Sequence, residues 1–353
     1  MIVKRKGPIK KLSSLDMERE DFISSEEKVF EQSLRPKEWD DFIGQEKIKK
    51  NIKIMLQAAK ARNEAVDHLL FCGGPGLGKT TLSHLVAQTS GSNLRIVSGP
   101  SIQKPGDLAA ILTSLSEKDI LFIDEIHRLN KICEEMIYPA MEDFKLHIII
   151  GTGPMAKSLK IDLPHFTLIG ATTRIGLITA PLRDRFGATF QINPYKINEI
   201  KEIIKKSAKT LNIEIEEPAI DILSKTSRFT PRISNRILKR IRDFAQVEGK
   251  GIINKKIAEI GLREMEIDQL GLEPNDRRLL EIIIDKFNGG PVGLQALSAV
   301  ASEEQNNILE VYEPYLLRLG LIDRTPQGRI ATEKAYKHLK KKLKANNKGG
   351  QLF

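Results

Sequence analysis

The chain has 353 residues, a formal charge of +10 and two cysteines, Cys72 and Cys133. That length allows two or three domains that each bury a core, and the cysteine count excludes a disulfide framework or a cysteine-rich zinc site and points to a reducing compartment. The charge resembles a nucleic-acid signature until it is located: Lys4, Arg5, Lys6, Lys10 and Lys11 give +5 before the first acid, seven lysines between Lys334 and Lys348 give +7, and the remainder carries a net −2.

Residues 1–28 are polar, charged and aperiodic, as expected of a basic flexible tail. Both basic ends suit non-specific phosphate contact or simple solvation. No apolar stretch approaches membrane-spanning length and the N-terminus lacks a signal-peptide core, so the expectation is a cytoplasmic protein with no membrane partner. From about Phe30, apolar runs at 68–72, 93–98, 120–124, 166–171 and 188–192 alternate with helical patterns, which predicts a parallel α/β sheet.

Directly after the first run, Gly73 to Thr80 reads Gly-Gly-Pro-Gly-Leu-Gly-Lys-Thr and leads into a helix-forming stretch. Strand, glycine loop and helix in that order make a Walker A phosphate loop rather than a chance glycine-rich turn. Gly76 and Gly78 let backbone N–H groups turn inward, Lys79 supplies a point charge for the phosphates, and the Thr80 hydroxyl is free for magnesium. The run 119–123 then ends in Asp124 and Glu125. At the end of a buried parallel strand, Asp124 is placed to orient a magnesium shell beside Thr80, and Glu125 to polarise an attacking water. His127 is ambiguous, since a lone histidine after such a strand is more often a packing or hydrogen-bonding residue than a catalyst.

The segment 145–163 reads as a β-hairpin, two strands turning through Gly151-Thr152-Gly153-Pro154. Its isoleucines suit either packing on the sheet or an exposed apolar contact. From 198 to about 267 the period becomes helical, with Ile200, Ile203, Ile204, Ile220, Leu223, Ile233, Ile237, Leu238 and Ile241 at three- and four-residue spacing, which predicts a small helical domain. Beyond Glu273, Asn275-Asp276 caps a helix through Phe287, Gly289-Gly290-Pro291 turns, and helices follow over 292–301 and 308–319. A hairpin around Pro326-Gln327-Gly328 completes the order of a winged helix. Arg324 and Arg329 flank its turn, either as ordinary surface cations or as contacts to a duplex backbone.

Several strings together resemble the RuvB family of AAA+ motors, which migrate Holliday junctions in bacteria: Leu34-Arg35-Pro36-Lys37, Phe42-Ile43-Gly44-Gln45, Asp124 to Leu129, Tyr138 to Asp143, Gly170 to Arg174, Pro181 to Gly187 and Val311 to Leu316. The resemblance runs from about Phe30 to Leu339. It implies an α/β fold with an AAA+ parallel-sheet ATPase core, a small helical lid domain and a C-terminal winged helix. The implied boundaries are a basic tail over 1–28, a large AAA+ domain over 29–194 with its hairpin at 145–163, a small helical domain over 195–270, a winged helix over 271–340 and a lysine-rich tail over 341–353.

The resemblance also implies roles. Leu34 and Arg35 line the nucleotide pocket, Thr81 joins Thr80 at the phosphates, and Glu142, Asp143 and Phe144 match positions near nucleotide. One of Thr172 and Thr173 is the sensor of the γ-phosphate. Arg185 matches an arginine finger that completes a neighbouring subunit's site, and Tyr195 and Arg232 match nucleotide contacts at the hinge and in the lid. ATP and Mg²⁺ are the implied ligands; DNA, the junction-binding protein RuvA (docked on the hairpin), the resolvase RuvC and a homo-hexamer are the implied partners. Three positions depart from the family pattern: Gly74 stands for a usual second proline, Phe229 for glycine, and Gln327 for a wing arginine. A clamp-loader-like ATPase is the nearest alternative, but it normally ends in a helical collar; a nucleotide-switched DNA-binding regulator needs neither Arg185 nor Glu125.

Overall fold

Leu69–Cys72 (β1), Ile120–Asp124 (β3) and Thr167–Thr172 (β6) are almost wholly buried runs, whereas Leu94–Ser98 (β2) has no buried residue and Ala188–Gln191 (β7) buries only Phe190. The difference follows from placement: they form one parallel sheet in the order β2-β3-β6-β1-β7, with β2 and β7 at the edges. These features belong to a computed structural model that describes residues 30–150 and 157–342. The expected N-terminal tail, the hairpin tip at 151–156 and the chain from 343 onward lie outside the described residues.

Of the described residues, those up to 203 together with 230–235 form one compact unit, and 204–229 with 236–342 form another. In the first unit, helices Glu46–Arg62 (α1), Lys79–Ser90 (α2), Pro105–Thr113 (α3), Lys131–Glu142 (α4) and Ala180–Asp184 (α5) accompany the sheet. Helix α1 shows why they pack: Ile48, Ile52, Leu56 and Ala59 recur on one face and are buried. Because β6 lies between β1 and β3, the loops that leave those three strands open together at the C-terminal edge of the sheet, where open α/β sheets bind ligands.

The antiparallel hairpin Lys145–Ile150 (β4) and Lys157–Asp162 (β5) pairs Leu146 with Ile161 and Ile148 with Leu159. Burial falls along this face: Leu146 is fully buried in the core, Ile148 is partly buried, and Leu159 is 45% exposed. The expected hairpin therefore both packs on the core and presents an apolar side chain outward.

The second unit holds most of the helical pattern expected beyond residue 198. Helix Ile197–Thr210 (α6) runs into it, followed by Glu217–Thr226 (α7), Pro231–Glu248 (α8) and Lys255–Glu264 (α9). Ile204, Ile220, Leu223, Ile237, Leu238 and Ile241 are buried as the spacing predicts. A two-residue parallel pair, Glu214–Ile215 (β8) with Ile252–Ile253 (β9), also occurs here, which the helical period does not announce.

The winged-helix segment follows with helices Pro274–Lys286 (α10) and Leu294–Ala301 (α11), a single turn at Gln305–Asn307, a π-helical turn over Ile308–Tyr312, helix Glu313–Arg318 (α12), strands Ile322–Thr325 (β10) and Gly328–Ala331 (β11), and helix Glu333–His338 (α13). The cap of α10 is Glu273 and not Asn275-Asp276: Pro274 takes the first helical position, and the Asp276 carboxylate reaches back to the Glu273 N–H at 2.8 Å. Ahead of α8, Arg228 (φ 53°) and Phe229 (φ 58°) are both left-handed. Arg228 donates to Gly271 O at 2.9 Å, pairs with buried Asp276 and stacks over Tyr315 at 5.0 Å, while Phe229 packs on the winged-helix core beneath the Arg318 guanidinium, 5.9 Å from its ring.

Candidate nucleotide site and wing

The loop between β1 and α2 turns because its glycines adopt conformations that other residues resist. Gly76 and Gly78 have φ of 72° and 102°, and a Cβ on Gly76 would stand 2.7 Å from the Arg232 Cβ. Gly74 has ordinary space around it, so the missing proline removes no contact the loop needs. Lys79 folds back along the loop, its ammonium donating to Gly73 O at 2.8 Å and Gly74 O at 2.9 Å. Burial pulls that ammonium below the ordinary lysine range, and Asp124 and Glu125 oppose the shift.

One cleft is lined by Leu34, Arg35, Gly76, Gly78, Lys79, Thr80, Thr81, Asp124, Glu125 and Arg232, all of them expected at the site. The sequence did not assign a site role to five further lining residues, Glu31, Pro36, Pro75, Pro231 and Asn235. Glu31 accepts from Arg232 Nε at 2.7 Å, across a sequence separation that no local pattern reveals. Burial lowers the Arg35 guanidinium, with Glu31 acting against it.

At the end of β3, burial and then the adjacent Glu125 push the Asp124 carboxyl upward, while Lys79 opposes them. Two neighbouring acids in a partly buried cleft are relieved by a divalent cation, and with the Thr80 hydroxyl nearby the donor set fits Mg²⁺ completed by phosphate oxygens and water. Glu125 itself has left-handed backbone, φ 50°. Its carboxylate accepts from Thr173 Oγ1 at 3.1 Å and lies 3.2 Å from His127 Nδ1. The same His127 nitrogen is 2.9 Å from Thr172 Oγ1, which also accepts from Arg174 N at 2.9 Å. Thus the two strand-end threonines have different partners: Thr173 touches the acid directly, and buried Thr172 reaches it through His127. Burial lowers the His127 imidazole, with Glu125 pulling the other way.

Five expected nucleotide residues do not line this cleft: Glu142, Asp143, Phe144, Arg185 and Tyr195; nor do Thr172 and Thr173. Arg185 donates to Glu142 at 3.1 Å and to Pro181 O at 2.7 Å, and its guanidinium lies 4.5 Å from the Tyr138 ring centre. Phe144 sits against His165 and Phe166, with ring centres 4.1 and 5.9 Å apart. Tyr195 is buried behind the phosphate loop and donates to Leu77 O at 3.2 Å; burial raises its phenol far above the ordinary value.

In the wing, Arg324 and Arg329 face each other across β10 and β11. Both guanidiniums meet the carboxylate of Glu313, which is 1% exposed. The Arg329 side chain is 12% exposed and that of Arg324 is 53% exposed, so Arg324 has the larger surface available to a phosphate. A backbone bridge between Val292 and Arg329 adds a third edge to the wing. Gln327 sits in the turn, where Thr325 Oγ1 closes onto Gly328 O at 2.9 Å.

The sheet order, with β6 inserted between the strand that feeds the phosphate loop and the strand that ends in Asp124, places the chain in the AAA+ class of P-loop ATPases, here carrying a winged helix. Comparison with known proteins narrows the class. Three family models match in succession: the Holliday junction DNA helicase RuvB P-loop domain over residues 34–192, the RuvB AAA lid domain over 195–268 and the RuvB C-terminal winged helix domain over 269–340. The chain belongs to the RuvB family.

A Clostridium kluyveri protein named Holliday junction branch migration complex subunit RuvB is 54% identical over 317 residues, covering 90% of this chain and 91% of its own length. One of the same name from Dehalococcoides mccartyi is 52% identical over 329 residues, covering 92% and 94%. The solved Thermotoga maritima RuvB Holliday junction branch migration motor is similar at 49% identity with a TM-score of 0.81, covering 88% of this chain and all of that one. Among the described residues, no helix is long and apolar enough to cross a membrane.

Proposed function

We propose that the chain is an ATP-hydrolysing motor subunit that drives branch migration of Holliday junctions in recombination and repair. The observation that carries this reading is the match of all three RuvB models, in order, on a chain whose Lys79, Thr80, Asp124 and Glu125 converge on one cleft. Lys79 and the inward N–H groups of the phosphate loop hold the β- and γ-phosphates of ATP. Mg²⁺, held through Thr80 and Asp124, supplies charge neutralisation between the phosphate oxygens. Glu125 orients the attacking water, and its own carboxylate is oriented by Thr173 and His127. Thr172, which is coupled to the same His127 nitrogen, serves as the sensor that aligns this group with the γ-phosphate.

Arg185 acts on a neighbouring subunit's nucleotide. Its absence from the lining of its own chain's cleft supports that role, as does its contact with Glu142, another expected nucleotide residue outside that lining. By the resemblance to the RuvB family, the working form is a homo-hexameric ring. Arg232 contacts nucleotide directly, and Tyr195 acts by supporting the loop from behind. Arg324 and, less exposed, Arg329 contact the duplex backbone, without reading bases. The β4–β5 hairpin, through its exposed Leu159, docks RuvA, RuvC resolves the product, and the setting is the cytoplasm.

A synthetic four-way junction with one labelled arm, incubated with this protein, a RuvA protein, ATP and Mg²⁺, tests the reading. ATP-dependent conversion of the junction to duplex products is expected. Hydrolysis that proceeds without any strand exchange, under conditions where RuvA is bound to the junction, would refute the motor assignment.

A further inference from the structure

The wing places two like charges directly opposite each other, since Arg324 and Arg329 are cross-strand partners. Such a pair is unfavourable unless an anion lies between them. Glu313 provides it. Its Oε1 accepts from Arg329 Nε at 2.8 Å and Arg324 Nε at 3.3 Å, and its Oε2 from Arg324 Nη2 at 2.6 Å and Arg329 Nη2 at 3.3 Å. Each guanidinium thus presents one edge to the same carboxylate, the arrangement that fixes an arginine plane most firmly. Burial alone would raise the Glu313 carboxyl, yet the hydrogen bonds from Arg324 and Arg329 hold it below the ordinary glutamate value.

Two further features bear on the trio. Glu313 opens α12 directly after the π-helical turn Ile308–Tyr312, a rare geometry that occurs frequently at functional sites. Arg329 is also tied through its backbone, exchanging N–H···O bonds of 2.9 Å with Val292 in both directions. The only long side chain of the trio with substantial exposure is Arg324, whose Nη1 makes no hydrogen bond among the described residues.

We propose that Glu313 is a positioning residue for duplex binding: it gathers the two wing arginines into one rigid unit and presents the outer edge of Arg324 to a backbone phosphate. The inference rests on the reading of the wing as a duplex contact, and it makes a prediction opposite to charge counting. Removing a carboxylate beside two cations adds net positive charge, which by itself strengthens attraction to DNA. Loss of the clasp instead frees two mutually repelling guanidiniums and makes the phosphate contact less well formed.

The test compares the full-length protein with Glu313→Gln, Glu313→Asp and Arg324→Ala in anisotropy titrations of a labelled 30-base-pair duplex over a range of salt concentrations. Glu313→Gln is expected to bind roughly three- to tenfold more weakly and to show a salt slope shallower by about one, the loss of one phosphate contact. Unchanged or tighter binding by Glu313→Gln, while Arg324→Ala weakens binding, would overturn the positioning role and leave the wing reading intact. Unchanged binding by Arg324→Ala would overturn the wing reading and the inference with it. If Glu313→Gln loses its cooperative unfolding transition, Glu313→Asp carries the same test: it keeps the charge and withdraws it by one methylene, so charge counting expects no change and positioning expects weaker binding.

Discussion

His127 Nδ1 lies 3.2 Å from a carboxylate oxygen of Glu125, which makes the imidazole a neighbour of the group proposed to orient the attacking water. Glu125→Gln is therefore expected to keep ATP binding and lose turnover by at least about a hundredfold, since the amide retains shape and not basicity. Lys79→Ala is expected to lose tight ATP binding itself. Equilibrium nucleotide binding and single-turnover hydrolysis separate the two, and near-normal hydrolysis by Glu125→Gln would remove Glu125 from its role.

For His127 the expected effect is smaller and lies in kcat. His127→Ala leaves Glu125 with Thr173 as its remaining polar side-chain contact and breaks the link to Thr172. Turnover is expected to fall about tenfold or more with KM little changed, as for a residue that orients a catalytic group. An equal rise in KM with kcat preserved would instead identify His127 as a binding residue.

Assembly is tested by mixing mutants. Arg185→Ala protein is expected to bind ATP through its intact phosphate loop and to hydrolyse it about a thousandfold or more slowly. Mixed with Lys79→Ala protein under conditions of subunit exchange, it is expected to regain activity, because only a mixed ring pairs an intact Lys79 with an intact Arg185. Rings of linked subunits in known order that showed no gain would place Arg185 outside its neighbour's active site.

A pH prediction concerns His68, which is buried at the start of β1. Its Nδ1 accepts from Leu168 N at 2.8 Å and its Nε2 is 3.1 Å from Met141 O, so the neutral ring is satisfied on both sides. Burial lowers its folded pKa below the ordinary 6.5, with the Met141 hydrogen bond opposing. Below that ordinary value the unfolded chain binds the extra proton, so the stability contributed at higher pH is lost as pH falls from about 6.5 through the folded pKa. Urea unfolding between pH 5 and pH 8 is expected to show this acid-side loss, and His68→Gln to reduce it; equal slopes in both proteins would exclude His68 as its source.

The phosphate loop and the strand-end acids were legible because their chemistry is local. Glycines that must turn, a lysine one step later and an apolar strand ending in Asp124-Glu125 all fall within short windows. The three central strands were legible for the same reason, as nearly unbroken apolar runs, and the edge strands β2 and β7 as shorter, mixed ones between helical patterns. The β8–β9 pair was not, because two residues are too few to show a period. Nor was Glu273 as the α10 cap, since its box depends on Pro274 and Asp276 acting together. The Glu313 clasp escaped detection because its partners lie on strands that approach it only after folding; from the sequence, Arg324 and Arg329 differ from ordinary surface cations in nothing but their symmetry about a turn. The threonines Thr172 and Thr173 were located but not distinguished, and their different partners follow from the alternation of side chains at the end of β6.

The pair of left-handed residues Arg228 and Phe229 has a practical bearing on how this protein is divided for experiments. A non-glycine residue in that backbone region costs on the order of 1 kcal/mol or more, and Phe229 occupies it where glycine would do so freely. Contacts that hold the two residues there come from downstream: Gly271, Asp276, Tyr315, Arg318 and the core around Leu279 and Leu316. A fragment truncated at residue 268, the natural edge of the lid model, would keep the strained turn and discard these contacts. Thr230, Pro231 and Arg232 follow that turn directly in the chain, and Pro231 and Arg232 line the nucleotide cleft, so the full-length chain is the form on which to measure nucleotide affinity.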